Sequence, residues 1–367
     1  DADSSDYQRY LCGLTSASAD CALGAQPGHA LNLASISLPS VIGNQRVRRS
    51  VTNVGTTNAL YTASVTLPGF TATVTPATLQ LAPGETQSYT LDVQRSDAAD
   101  GLWQLGELVW TDGEHRVRSP LQARYNSGAE APPLLSDHNV SGNRQLDVRT
   151  GFSGTMGATK AGLREYVRLA QRVTQAAHGS LETLQDIVNA CVARGAGVKA
   201  VTIGIPNQTM IARFTLSNLE TAGGADDDLD LALLDQGNNL IALSAHAGSN
   251  ETVTLHTPPM GVVKICVLGY QLKNGSQTDY TVSYATAIPN DSKGALKLSL
   301  PATVSQGGNA SVGVSWTGLE QGKRYLGGVQ LRNPAGRAVA FTELDIDTRD
   351  VIPAATGAAR KLRSTVD

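Results

Sequence analysis

Leu105-Gly106-Glu107-Leu108-Val109-Trp110-Thr111-Asp112-Gly113-Glu114-His115-Arg116-Val117-Arg118-Ser119 reads as two short strands joined by a tight turn. Asp112-Gly113 falls between the two runs. Such a pair is a strong hairpin signal, because glycine takes the positive φ that a tight turn demands. The same style repeats upstream. Arg46 to Asn53 carries Val47 and Val51 among polar neighbours, Tyr61 to Leu67 closes at Pro68-Gly69, and Thr71 to Thr75 stops at Pro76. Leu79 to Leu81 runs into Pro83-Gly84, and Gln87 to Val93 follows. About seven short strands in about a hundred residues describe a two-sheet sandwich, whose core Trp103 and Trp110 are expected to fill.

Outside this sandwich, assigned to 25–126, the pattern changes several times. Residues 1–24 are polar apart from an apolar cluster at Tyr7, Tyr10 and Leu11, and read as the end of something rather than a domain. Residues 127–143, with Gly, Ser, Ala, Asn and Pro132-Pro133, read as a linker. Between 160 and 194, Leu163, Val167, Ala170, Val173 and Ala177 recur at helical spacing until Gly179. Ser180 then stands where it would cap a second helix carrying Leu181, Leu184, Val188 and Cys191. Strand patterns resume at Val201 and continue to Tyr284, with turns at Gly237-Asn238 and Pro258-Pro259. The stretch 144–288 is therefore expected to be a jelly-roll-like sandwich with a helical insertion near 160–194. Residues 289–348 repeat the style as a smaller β-domain, and 349–367 read as a flexible tail. The fold class is all-β and multi-domain: an immunoglobulin- or fibronectin-like sandwich, a jelly-roll-like sandwich, then a small β-domain.

The chain has 367 residues, 17% charged and 5% aromatic, with a net charge of −3. A nucleic-acid partner would call for a basic stripe, and none is present. No apolar run approaches the roughly 18 residues of a membrane-crossing helix, so no transmembrane segment is expected. The chain opens at Asp1 without an initiator Met or a signal peptide, which reads as a processed piece. Cys12 and Cys21 are spaced so that a disulfide can close; free buried thiols are the alternative for all the cysteines, Cys191 and Cys266 included. The one acidic constellation is Asp226, Asp227, Asp228 and Asp230. Strand alternation places Asp228 and Asp230 on one face, with Leu229 and Leu231 toward the core. Crowded carboxylates entering a strand suit Ca2+, which takes oxygen ligands; a solvated acidic turn is the other reading.

Several motifs resemble the subtilisin-like serine proteases (the S8 subtilases). Asp6-Tyr7, Tyr10-Leu11-Cys12-Gly13, Cys21 and Leu31-Asn32-Leu33-Ala34-Ser35-Ile36 resemble the exit from the catalytic domain into a fibronectin-III-like domain. Arg49-Ser50-Val51-Thr52-Asn53-Val54-Gly55 resembles the R-T-V-T-N-V-G strand and turn of that domain, with Ser50 in place of Thr. The hairpin quoted first, extended to Pro120, resembles its closing G-x-L-x-W-x-D-G-x-H-x-V-R-S-P. Ile211-Ala212-Arg213-Phe214, Asp227-Asp228-Leu229-Asp230-Leu231, Asn250-Glu251, Gly269-Tyr270 and Asp279-Tyr280-Thr281 resemble the bacterial pre-peptidase C-terminal type of module. Val314-Ser315-Trp316-Thr317-Gly318-Leu319 and Arg324-Tyr325-Leu326-Gly327 resemble a small terminal β-domain of bacterial subtilases.

The resemblance implies a non-catalytic C-terminal region. The family's nucleophilic serine opens a helix from a Gly-Thr-Ser-Met-Ala turn, and Ser153-Gly154-Thr155-Met156 is an echo in the wrong order. His115 is carried by the family as a structural residue. His138, His178, His246 and His256 lack ligand-spaced carboxylates or cysteines in the sequence. Secretion, implied by the family, supplies the oxidising setting for a Cys12–Cys21 disulfide. A second bridge, Cys191–Cys266, follows only by elimination. The expected partner is a subtilisin-like catalytic domain or chain, covalently joined or left after processing, with Tyr7, Tyr10 and Leu11 at the contact. The later modules would assist secretion or attachment to a protein or polymer substrate. The competing reading is a free-standing extracellular module that binds a polymer or cell wall.

Overall fold

The computed structural model describes residues 2–14 and 21–349. The tail expected over 349–367 lies outside the described residues from 350 onward. An N-terminal helix α1 (Ser4–Leu14) precedes everything else. Strands β1 (Ile36–Val41), β2 (Asn44–Thr52), β3 (Ala59–Thr66), β4 (Phe70–Thr75), β5 (Thr78–Leu81), β6 (Thr86–Arg95), β7 (Trp103–Thr111) and β8 (Arg116–Tyr125) build the first sandwich. One sheet has the order β1-β8-β7-β3-β5 and faces a second of order β2-β6-β4. The hairpin forms as read, with Trp110 opposite Val117. Inward positions alternate along β6, where Tyr89, Leu91 and Val93 are buried. Trp110 is in this core, but Trp103 is 42% exposed under the Arg124 guanidinium. The two tryptophans are seven positions apart, an odd offset, so strand alternation puts them on opposite faces.

The chain then enters β9 (Ala129–Glu130), β10 (Leu134–Asp137), β11 (Gly142–Thr150) and β12 (Gly157–Glu165). The expected linker 127–143 thus holds two strands and the start of a third. Its Pro132 and Pro133 carbonyls accept from the Thr342 hydroxyl and the Glu343 amide, at 2.7 and 2.9 Å. After β12 come β13 (Val167–Thr174), α2 (Leu184–Ala193), β14 (Val198–Ile205), β15 (Ile211–Thr215), β16 (Asp228–Leu234), β17 (Leu240–Ser244), β18 (Thr252–His256), β19 (Gly261–Gln271) and β20 (Gln277–Ala287). They form two facing sheets, β13-β20-β15-β18 and β14-β19-β16-β17, around Phe214, Leu231, Ile265 and Val282. Helix α2 covers the outer side of the second sheet and buries Ile187 and Cys191 against Ala232 and Cys266.

The helix expected over 160–177 is β12 and β13. Leu169, Gln171 and Val173 face inward while Arg168, Ala170 and Arg172 face water, a period of two that the coincidental helical spacing of the apolar residues masks. The real helix is shorter and is capped by Thr183, not Ser180. The Thr183 hydroxyl accepts from the Asp186 amide, and the Asp186 carboxylate accepts from the Thr183 amide.

The chain returns through β21 (Lys297–Ser299), β22 (Asn309–Trp316), β23 (Arg324–Arg332) and β24 (Ala338–Asp347). These do not make a separate small domain. They pair with the strands from before the excursion, giving sheets β10-β24-β23-β12 and β21-β22-β11-β9 around Leu146, Val312, Trp316 and Ile346. Residues 129–165 and 289–349 therefore share one host sandwich, into which the sandwich of β13–β20 is inserted. The boundaries expected at 144–288 and 289–348 are replaced by this interleaved arrangement, because β11 and β12 find their partners in β22 and β23.

The host sandwich touches each of the other two. Between first and host, the Tyr125 hydroxyl donates to the Gly151 carbonyl and Arg149 reaches Asn44. Gly43, at φ +78°, meets Gly307 so closely that a Cβ would lie 2.1 Å from the Gly307 Cα. Between host and insertion, Arg213 of β15 pairs with Glu343 and, at 2.8 Å, Asp345 of β24.

Candidate docking site at the mouth of the first sandwich

One end of the first sandwich is not closed. Strand β1 pairs with β8 only from Leu121 onward, so Arg116 to Pro120 lack a neighbour there. Val117 has the inward parity of Leu121, yet it is 51% exposed. Along β3 the inward residues Tyr61, Ala63 and Val65 are only half-buried. The gap is a cavity of about 930 Å3 between the sheets, walled by Val51, Tyr61, Leu79, Trp110 and Val117, with Arg49 among them.

Both motifs quoted for the family frame this cavity, and each is held by its own side chains. The Asp112 carboxylate accepts from the Glu114 and His115 amides at 3.0 and 2.6 Å, and its other oxygen lies 3.0 Å from His115 Nδ1. With the His115 ring as first cause, these contacts bring the Asp112 pKa down to about 2 and hold that of His115 above its ordinary value. The His115 ring is exposed and engaged by the Asp112 carboxylate, rather than packed or bonded to the backbone as expected. On the facing strand, the Asn53 side chain donates to the Thr57 and Leu81 carbonyls at 2.9 and 3.0 Å and accepts from the Gly55 amide at 2.9 Å. That turn presents Val54, 94% exposed, at the cavity rim.

The segment leading into β1 is pinned to the same strand. Asn32 exchanges two bonds with the Ser50 backbone at 3.1 and 3.0 Å, and Arg49 Nη1 donates to the His29 carbonyl at 2.9 Å. Upstream, α1 is tied through Gln26, whose amide donates to the Arg9 carbonyl and whose side chain donates to that of Asp6. The Cys12–Cys21 disulfide is present, with Cα atoms 5.5 Å apart. Helix α1 buries no residue: Tyr7, Leu11 and Leu14, on one stripe, are open to solvent, while the half-buried Tyr10 packs its ring near Gly28. Of the three residues expected at an interdomain contact, Tyr7 and Leu11 are therefore on the open face and Tyr10 is partly used internally.

The other expected sites resolve differently. Cys191 and Cys266 are free, buried thiols lying side by side between α2 and β19, not a second disulfide; both serve as small apolar residues in that layer. The four aspartates do not converge. Asp226 is exposed and pairs with Lys273 at 2.8 Å. Asp227 is buried and accepts from the Gly223 and Lys273 amides and the Thr278 hydroxyl, at 2.9, 2.9 and 2.5 Å. Asp228 and Asp230 point the other way, toward Glu251, whose carboxylate is engaged by the Ser244 hydroxyl and the His246 amide and ring. Among the described residues no group of three or more His, Cys, Asp or Glu side chains is placed to hold a metal ion. The His246–Glu251 pair escaped the sequence reading because it is formed across the turn between β17 and β18.

The cavity, its two framing motifs and the pinned segment fall in one stretch of chain. Residues 30–123 match the family model of the fibronectin type-III domain. Curated relatives of this part of the chain are subtilisin-like proteases. SBT3.11 of Arabidopsis thaliana is 36% identical over 96 residues, which is 26% of this chain and 13% of that protein. SBT3.2 of Arabidopsis thaliana is 33% identical over 131 residues, 32% of this chain and 18% of that protein. A subtilisin-like protease of Glycine max is 37% identical over 105 residues, 28% of this chain and 13% of that protein. The chain thus spans less than a fifth of the length of these relatives. Crystalline tripeptidyl peptidase 2 aligns with 90% of this chain and 41% of its own, but at a TM-score of 0.24 and 8% identity the likeness carries no weight. The fibronectin type-III domain is therefore a region homologous to part of subtilisin-like proteases, and no helix among the described residues is long and apolar enough to cross a membrane.

Proposed function

We propose that this chain is a non-catalytic C-terminal region of a secreted subtilisin-like serine endopeptidase, and that its fibronectin type-III domain packs on the catalytic domain. The observation that carries the reading is the coincidence of two things: the stretch shared with proteases is also the stretch that leaves an open cavity and, just upstream, a helix with an exposed apolar stripe. A domain of about a hundred residues folds on its own core, so such a surface is available for an interdomain contact, typically about 600–1,500 Å2. The inserted sandwich is a candidate pre-peptidase C-terminal-type module, and the host sandwich includes the segment that resembles the small terminal β-domain; both would serve secretion or substrate attachment.

The test is to mix this chain with a separately produced subtilisin-like catalytic domain of its parent. A complex on size exclusion and a rise in both melting temperatures are expected, reduced by Leu14→Ser or Tyr7→Ser on the open stripe of α1. Unchanged melting and no complex would overturn the docking role and leave polymer or cell-wall binding as the better account.

A further inference from the structure

Arg49 interrupts an otherwise apolar face. The inward positions of β2 are Val47, Arg49 and Val51, and Arg49 is only 4% exposed. A guanidinium in that position would ordinarily face a carboxylate, since removing a charge from water is costly unless an opposite charge and hydrogen bonds compensate. No carboxylate among the described residues meets it. Its Nη1 donates to the His29 and Arg48 carbonyls, both at 2.9 Å, while its Nε is buried without any acceptor. The carboxylate available at the cavity rim, Asp112, is committed to its own turn and to His115. The second cation there, Arg118, pairs at 2.5 Å with Glu107, a carboxylate that Arg116 shares at 2.9 Å. The Trp110 indole N–H in the same wall also lacks an acceptor. Both orphaned groups are donors, and the Arg49 charge has no carboxylate of its own.

We propose that Arg49 and the cavity in front of it form a carboxylate-binding site, filled by an Asp or Glu side chain of the protein that covers this end of the sandwich. Among the described residues Arg49 is the one guanidinium buried in the cavity wall, since Arg116 and Arg118 are exposed, and a lone buried guanidinium fits a monovalent carboxylate. The apolar walls fit the stem that carries it. A planar guanidinium is also the side chain suited to fork onto two carboxylate oxygens. The proposal deepens the docking reading above by naming the chemistry of the contact, and it can be tested without the partner.

The full chain, labelled for arginine side-chain N–H resonances, is titrated with the blocked tripeptide acetyl-Ala-Asp-Ala-amide and with its Asn counterpart. The Asp peptide is expected to shift the Arg49 Nε–H resonance and raise the melting temperature; the Asn peptide is expected to do neither. Arg49→Met is expected to lose the response to the Asp peptide, whatever its own melting temperature. Against the catalytic domain, Arg49→Met should weaken binding at least tenfold. Equal responses to both peptides, or none, overturn the site even if the variant fails to fold. Undiminished complex formation by a folded Arg49→Met overturns it too while leaving the docking reading intact. If the parent chain forms no complex but answers the Asp peptide alone, the docking reading falls and the carboxylate site stands.

Discussion

Asp230 shows how a single buried carboxyl records its surroundings. It lies on β16, 7% exposed, with Asp228 and Glu251 as neighbours. Burial first, then those two carboxylates, push its pKa from 3.8 up to about 7. The folded state therefore holds this proton more tightly than the unfolded chain does. Stability through this group is greatest below the unfolded value and falls as pH rises toward about 7. Asp230→Asn should raise the melting temperature at pH 8, by about 2 kcal/mol of stability, and the gain should vanish by pH 4. A gain of equal size at both pH values would show that the effect is packing rather than charge. The two thiols make a second residue-scale prediction. Cys191 and burial push the Cys266 thiol well above its ordinary pKa, so it holds little reactive thiolate. Alkylation should label neither thiol in the native protein and both after unfolding without reductant, with Cys12 and Cys21 reacting only once reduced. Failure to label the unfolded, unreduced chain would mean a second disulfide. Arg49 belongs at this scale as well. Its inward parity with Val47 and Val51 was legible in the sequence, but the absence of a counter-ion was not, because the groups facing it come from β7, the 112–115 turn and the segment before β1.

At the scale of elements, α2 is a lid over those thiols, fastened at its start by the Thr183–Asp186 box. Losing such a cap costs about 1 kcal/mol, so Thr183→Ala should speed native-state labelling of Cys191 about fivefold through local opening. An unchanged rate, measured by mass spectrometry over time, would place the protection in the sheet rather than in the cap. The hairpin Trp103–Tyr125 was legible because its turn residues and its alternation agree. Parity alone would have separated Trp103 from Trp110. The stretch 160–174 was harder. Leu163 and Val173 are both buried, but in different sandwiches, and only the polar residues at 168 and 172, on the water face, follow the strand period. Nothing within Gly142–Thr150 announces that its partner is Asn309–Trp316, since register between distant strands is set by tertiary packing and not by local propensity.

For the whole molecule, the host and inserted sandwiches are joined by a buried ionic cluster. The Arg213 side chain is 8% exposed against 13% for Glu343 and 12% for Asp345, and Arg324 completes the set by pairing with Asp345 at 2.6 Å. Around it pack Tyr166, Ile211, Ala285 and Leu326. Deleting Arg213 leaves Asp345 to Arg324 and Glu343 to the His256 ring at 3.1 Å, so Arg213→Ala should cost about 3 kcal/mol and, in calorimetry, separate the melting of the inserted sandwich from that of its host. A single transition shifted by less than a degree would show the sandwiches to be coupled by their apolar contact alone. This interleaving also sets a timetable. β12 ends at Glu165, and its partner β23 begins only at Arg324, so during synthesis at about 5–20 residues per second the first half of the host must wait about 10–30 s for the second. The insertion is made from one continuous stretch, and its outer strands β13 and β20 lie side by side, so it can finish early. Once finished, it delivers Ala161 next to Pro289 and turns the meeting of two distant segments into the closing of a short clasp.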